Sequence, residues 1–206
     1  VDYDFTYSNI AEFFASTEAE IIVLPGFIAS NERGETTTLG RGGSDFTAAL
    51  IANGAHADCL EIWTDVSGMY TANPKLVRQA KPIERISYQE ALELSHFGAK
   101  VLYPPTVQPA LDKGIDILIK NTMEPEAPGT RITEKTKVNG SLIKGISHIE
   151  DIALLTLEGN GMVGVPGISS RLFGALADEL INVKFITQAS SEHSICLAID
   201  DQDTAR

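Results

Sequence analysis

Short apolar runs and amphipathic stretches take turns along this chain. Residues 8–16 put Ile10, Phe13 and Phe14 on one face behind Ser8, a capping residue, and predict a short helix. Residues 20–24, Glu-Ile-Ile-Val-Leu, form a compact β-branched run that predicts a buried strand, broken by Pro25-Gly26 and resumed over 27–29. A polar turn over 30–35 and the segment 36–45 lead to an alanine-rich helix over 46–57 and a strand over 59–64. Residues 87–96 read as a helix with Ala91, Leu92 and Leu94 inward and Glu90 and Glu93 outward. Residues 105–113 read as another, stopped by Gly114, and 115–120 alternate toward a strand. Residues 121–137 are rich in Pro, Thr, Glu and Lys and predict the close of a first domain.

The pattern changes after Lys137. A strand is predicted over 152–157, then a loop over 158–167 holding Gly159, Gly161, Gly164 and Gly167. A helix over 168–181 sets Ile168, Leu172, Leu176 and Leu180 at four-residue spacing. Strands over 183–186 and 194–199 follow. Strand, loop, helix, strand, strand is the first part of a ferredoxin-like unit, without its second helix and last strand. The expected architecture is two α/β pieces, residues 1–136 and 137–206. The chain starts at Val1, and its end from Asp200 reads as a turn leading into a helix that stops, so it is expected to be a piece of a longer protein.

Composition removes several function classes. Among 206 residues there are 16 Lys+Arg and 28 Asp+Glu, a formal charge of −12, which repels phosphate backbones and anionic lipid. No nucleic-acid or membrane partner is expected, and no apolar stretch approaches the ~20 residues of a membrane span. The acidic start Val1-Asp2-Tyr3-Asp4 is unlike a signal peptide. Cys59 and Cys196 lie far apart in apolar runs and predict buried, reduced thiols in a cytoplasmic protein. Four histidines without ligand spacing predict no metal site, and Trp63 is expected in the core.

Three segments carry candidate chemistry. Residues 36–45, TTTLGRGGSD, put three glycines within four positions before a helix, so backbone N–H groups can approach an anion. Arg41 adds a bidentate cation for carboxylate or phosphate. Asp45 beside such a site needs a role: capping the helix, orienting a lysine or holding Mg²⁺. The pattern is neither GxGxxG nor GxxxxGK[ST], and a plain structural turn accounts for it equally well. Residues 63–75 carry a strand ending in Thr64-Asp65, the place where open α/β sheets bind ligands. In that loop Tyr70 suits a base and Lys75 a phosphate, against the plain reading of a surface loop. In 97–105, FGAKVLYPP, Lys100 is a lysine flanked by apolar residues.

In this order and spacing, these segments resemble the carboxyl-terminal half of an aspartokinase catalytic domain, in the amino acid kinase family, over roughly residues 21–133. After Lys137 the chain resembles the first ACT regulatory module of the same enzymes. Residues 186–195, ITQASSEHSI, look most like the bifunctional aspartokinase–homoserine dehydrogenases, usually inhibited by threonine. The resemblance implies a three-layer α/β kinase sheet followed by a truncated ferredoxin-like ACT module. It implies transfer of the ATP γ-phosphoryl to the side-chain carboxylate of L-aspartate, with Mg²⁺ carried chiefly on the phosphates. By matching position, Arg41, Gly42, Gly43 and Ser44 would hold aspartate, and Asp45 would organise the catalytic groups. Thr64, Asp65, Tyr70 and Lys75 would line the nucleotide site, with Lys100 and Val101 closing it. Gln188 would contact an amino-acid effector whose carboxylate meets the Gly167-Ile168 backbone. Homodimers through the ACT module are implied as well.

Departures from the family pattern set expectations too. No lysine-glycine-glycine segment is present, so the chain alone is expected to lack a phosphate lysine and to be inactive. Asn73 stands where many relatives carry Asp. Lys184 stands where lysine-inhibited relatives carry an acid, which favours threonine over lysine as effector. Two rival readings are a kinase for glutamate, acetylglutamate or a nucleotide, and a non-catalytic effector-binding and dimerisation module.

Overall fold

The computed structural model describes residues 1–96, 102–135, 143–188 and 193–205. The chain divides into two compact units, Val1–His148 and Ile149–Arg206. The Ile146 N–H donates to the Thr71 carbonyl at 2.9 Å, so residues leading up to His148 belong with the first.

Helix α1 (Tyr3–Ser16) begins ahead of the apolar pattern because the Asp2 carboxylate accepts the Phe5 N–H at 3.1 Å and caps it. The run over 20–24 is not a strand. Ile21 and Val23 are 84% and 90% exposed. A β-branched run becomes a strand only beside another strand, and among the described residues none pairs with it. Strands β1 (Ile28–Ser30) and β2 (Thr36–Thr38) form an antiparallel hairpin. At its turn the Asn31 side chain accepts the Arg33 and Glu35 N–H groups at 3.0 Å. Then come α2 (Gly43–Gly54), β3 (Cys59–Thr64), β4 (Arg85–Ser87), α3 (Tyr88–His96), α4 (Pro104–Asp112), β5 (Asp116–Asn121) and β6 (Thr130–Thr133).

The sheet order is β3-β5-β6-β4. β3 pairs with β5 and β4 with β6 in parallel, whereas β5 and β6 are antiparallel, so the sheet is mixed. The register puts Leu60, Ile62, Ile117, Ile119, Ile132 and Ile86 on one face. That face packs with Ala49 and Ala52 of α2, Ala91 of α3, and Val107 and Ala110 of α4. Ile86, Ile117 and Ile119 are fully buried, each contributing about 1.5–3 kcal/mol of apolar burial.

The opposite face carries Cys59, Glu61, Trp63, Lys120 and Arg131. Trp63, expected in the core, is 45% exposed because the strand's alternation turns it to that side. It donates its Nε1–H to Glu61 at 3.0 Å and lies 5.1 Å beneath the Lys120 ammonium. Cys59 and Cys196, expected to be buried, are only half-buried.

In the second unit β7 (Ile152–Glu158), α5 (Ile168–Asp178), β8 (Val183–Gln188) and β9 (Ser194–Asp200) follow in the expected sequence. The antiparallel order β7-β9-β8 is that of the first three strands of a ferredoxin-like unit. Central β9 holds Ile195, Leu197, Ala198 and Ile199 at 1% exposure each. Helix α5 ends short of its predicted limit. Leu180 takes a left-handed φ of 57° and is 85% exposed, so it leaves the apolar stripe.

Candidate functional site

Helix α2 reaches β3 through residues 55–58, and α4 reaches β5 through residues 113–115. Connections this short force the chain to reverse. The amino ends of α2 and α4 therefore lie at the end of the sheet where β3 and β5 finish, the end at which open α/β sheets bind ligands.

The loop before α2 is shaped by left-handed glycines. Gly40 has a φ of 75°, and Gly42, which caps the helix without a side chain, has 71°. An L side chain would be strained at either. The Gly43 N–H is taken by the Gly40 carbonyl at 3.0 Å, which leaves the Ser44 and Asp45 amides at the open helix start. Gly43 is buried, and a Cβ there would stand 2.7 Å from Phe27 Cδ2. The Phe27 N–H donates to Thr47 Oγ1, and the Thr47 hydroxyl donates to the Gly43 carbonyl, at 3.0 and 2.9 Å. Phe27 itself has a φ of 74°, a costly conformation for an aromatic residue, and nothing in the sequence signalled it.

Arg41 is exposed, and its guanidinium carbon lies 5.6 Å from the centre of the Tyr103 ring. Asp45, in the first turn of α2, is half-buried, and burial pushes its carboxyl above the ordinary aspartate range.

The loop after β3 is tied down from two sides. The Thr64 hydroxyl donates to Asp65 at 3.2 Å, and the Thr122 N–H donates to the Thr64 carbonyl at 2.8 Å. Asn121 Nδ2 donates to Ser67 Oγ at 2.9 Å, and that hydroxyl donates to Glu124 at 2.7 Å. Gly68, with a φ of 102°, leaves no room for a Cβ against Thr130 Oγ1. The buried Thr130 hydroxyl accepts the Met69 N–H at 2.7 Å and donates to the Ile83 carbonyl at 2.6 Å. Tyr70 bridges to Pro82 and is half-buried, and Lys75 is exposed. Ser67, Asn121, Glu124 and Thr130 escaped the sequence reading because their partners lie more than fifty residues away, except for the 47-residue Thr130–Ile83 span.

The structure brings Arg41, Gly42, Gly43, Ser44 and Asp45 together on one loop, and Thr64, Asp65, Tyr70 and Lys75 on another. Among the described residues no hydrogen bond, ion pair or ring contact joins the two sets. Lys100 and Val101 lie outside the described residues. No group of three potential metal ligands occurs among those described, and no described helix is long and apolar enough to cross a membrane.

In the second unit, Gly167, Ile168 and Gln188 line one open cavity of about 560 Å³. Gly167 caps α5 with a left-handed φ of 88° and no side-chain bond, so the first amides of the helix are open. The remaining described lining is Met162, Gly164, Val165, Pro166, Ser169, Ser170 and Ile195, and none of these side chains is charged. Lys184 is not in that lining. Its ammonium pairs with Asp200 at 3.2 Å, so its charge is not what this cavity presents.

Comparison with known proteins connects these parts. The amino acid kinase family profile matches residues 1–121, and an ACT domain profile matches residues 155–206. The chain is 43% identical to the chloroplastic bifunctional aspartokinase/homoserine dehydrogenase of Daucus carota over 98% of its own length and 23% of that protein's. Escherichia coli aspartokinase III in complex with lysine and aspartate aligns with a TM-score of 0.67 and 42% identity, over 85% of this chain and 39% of that one. The same enzyme in complex with aspartate and ADP gives a TM-score of 0.63 at 42% identity, over 85% and 38%. The chain thus spans roughly a quarter of the bifunctional relative and under half of aspartokinase III. With more than half of its residues matched by that profile, the chain belongs to the amino acid kinase family.

Proposed function

We propose that the first unit, Val1–His148, is the carboxyl-terminal part of an aspartate kinase catalytic domain and that the second, Ile149–Arg206, is an ACT effector module. The reaction transfers the γ-phosphoryl of ATP to the side-chain carboxylate of L-aspartate. A carboxylate oxygen forms the new bond to phosphorus, the bond to the β–γ bridging oxygen breaks, and 4-phospho-L-aspartate and ADP result. The observation that carries this reading is Arg41, held out between two left-handed glycines at the open start of α2. A guanidinium beside free helix amides is built for a carboxylate. The binding of aspartate and ADP by the similar aspartokinase III supports the same assignment.

Arg41 clamps a substrate carboxylate, with the backbone of Gly42, Gly43 and Ser44 completing the cradle. Asp45 orients the groups around the transferred phosphoryl. Thr64, Asp65, Tyr70 and Lys75 hold the nucleotide, with Tyr70 beneath the base and Lys75 toward the phosphates. Lys100 and Val101 belong to this set. Phosphoryl transfer demands mainly positioning and positive charge, and these residues supply both. Mg²⁺ bound with ATP would offset phosphate charge. The donor set here, separate carboxylates that form no cluster among the described residues, fits a metal held chiefly through the phosphates.

The second unit binds an uncharged amino-acid effector, threonine rather than lysine. Its cavity offers helix amides at Gly167 and Ile168 for a carboxylate and the Gln188 amide for a hydroxyl, and among the described lining residues no acid for a side-chain ammonium. Paired second units form a homodimer, and the location is cytoplasmic.

A coupled assay for ADP release, with L-aspartate and L-glutamate as acceptors in a full-length protein carrying this chain, tests the reading. Aspartate should be preferred. Arg41→Ala should raise the aspartate KM about tenfold or more, as loss of a charge-assisted pair implies, and leave the ATP KM near its value. Tyr70→Ala should do the reverse by about two- to tenfold. Equal effects of Arg41→Ala on both substrates would remove the clamp. The effector cavity favours a second reading of the chain taken alone, effector binding without turnover, marked by threonine binding with no ADP release.

A further inference from the structure

We propose that Tyr103 is a positioning residue of the substrate clamp, its ring holding the Arg41 guanidinium so that the N–H edge faces a dicarboxylic amino acid. The inference rests on the aspartate kinase reading of Arg41. Its starting point is the mismatch between the length of that side chain and the looseness of its setting. Arg41 lies between Gly40 and Gly42, both left-handed, and a Cβ at Gly40 would meet no atom within 4 Å.

Among the described residues no carboxylate pairs with Arg41, and the partner its guanidinium finds is the neutral face of Tyr103, 5.6 Å from carbon to ring centre. An aromatic face attracts a cation through its quadrupole. It does so without using any of the five N–H donors, which lie in the guanidinium plane and stay available for a carboxylate.

The Tyr103 side chain is 42% exposed, and it is the backbone beneath it that is held. Tyr103 precedes α4 in an extended conformation with φ −95° and ψ 105°, next to Leu102, which is 4% exposed in the core. Helix α4 is locked to α2 by Asn53, whose Nδ2 donates to the Pro109 carbonyl at 2.6 Å. The ring and the glycine loop thus ride on two helices held at a fixed spacing, with their amino ends at the same end of the sheet. An arginine already restricted in the free protein loses less rotamer freedom when substrate arrives, which favours binding.

The experiment compares Tyr103→Leu, Tyr103→Phe and Arg41→Ala in a full-length protein carrying this chain. It reads the Michaelis constants for L-aspartate and Mg-ATP, the melting temperature, and the NMR shift of the Arg41 Cδ protons. Tyr103→Leu should raise the aspartate KM about two- to fivefold, the span a partly exposed cation–π contact allows. The ATP KM and Tm should be unchanged, and the upfield ring-current shift of the Arg41 protons should be lost. Tyr103→Phe, which keeps the ring, should restore both the shift and the aspartate KM. If Tyr103→Leu leaves the aspartate KM alone while Arg41→Ala raises it, the clamp stands and the role of Tyr103 falls. If Phe behaves as Leu, the ring face is not the operative group and the proposal falls. If neither Arg41→Ala nor Tyr103→Leu moves the aspartate KM, the clamp itself falls and takes the proposal with it.

Discussion

The first unit keeps its core between a sheet and helices, whereas the second keeps it in one strand. In the first, residues of α2, α3 and α4 are buried against six sheet positions in one cluster. In the second, no residue of α5 is buried, and most of β7 and β8 is exposed, with Leu154 at 65% and Ile186 at 52%. Of the three strands only β9 is shielded, by its neighbours on either side, and Met162 is the one other buried residue described there. The lesson is that local pattern and burial are separate. Both units carry clean amphipathic sequence, but among the described residues only the first buries it between layers. The candidate substrate loops sit on the rigid unit, and the candidate effector cavity sits on the open one.

The strongest challenge to this contrast is a matched pair of truncations. Ile119→Ala, at a fully buried position, should destabilise the first unit by about 2–5 kcal/mol. Leu154→Ser should cost under about 0.5 kcal/mol. Urea melts of each variant would dissolve the comparison if the two costs were similar. Next in size is Thr130→Val, which removes the hydroxyl that fixes Met69 and Ile83 and should cost about 1–3 kcal/mol. It should also raise the KM for ATP in a steady-state assay while leaving that for aspartate in place, because the loop it holds is the one proposed to bind the nucleotide.

Gln188→Ala sharpens the contrast from the other side. Threonine affinity, followed by calorimetry, should fall about two- to tenfold, the worth of one hydrogen bond, without change in the first unit's melting. Retained affinity would move the effector elsewhere. The smallest effect concerns Asp45. Burial raises its carboxyl pKa above the unfolded value, so the folded chain holds that proton more firmly. The resulting stabilisation is full below the ordinary aspartate pKa of about 3.9 and is lost as pH rises through the folded value. At neutral pH the ionised group is a net cost. Asp45→Asn should therefore raise Tm by about a degree or two at pH 7 and not near pH 3, read by calorimetric scans.

Strands β3 and β9 and helix α5 were legible because each is long enough for its periodicity to speak. β4 and β6 were not. Three residues, Arg-Ile-Ser, and four, Thr-Arg-Ile-Thr, are too few for a pattern, and a helix signal and a Pro-rich stretch overlay them. Glu20–Leu24 failed in the other direction, since its strand signal was strong but pairing is a property of two segments. The site divides in the same way. The glycines, Arg41 and Asp45 announce themselves by composition within ten residues. Tyr103 beneath Arg41, and Asn121 behind Ser67, are visible only once the helices and the β3–β5 pairing bring distant residues together.

The Thr130 hydroxyl also makes a clock. The Met69 amide hydrogen ends on it, and the Ile83 amide hydrogen ends on the Met69 carbonyl at 2.8 Å. Thr130 binds both Met69 and Ile83, so an opening that parts β6 from the loop loosens both. Those two amides should therefore exchange together, at a rate set by one shared opening, and bound nucleotide should slow both by the same factor.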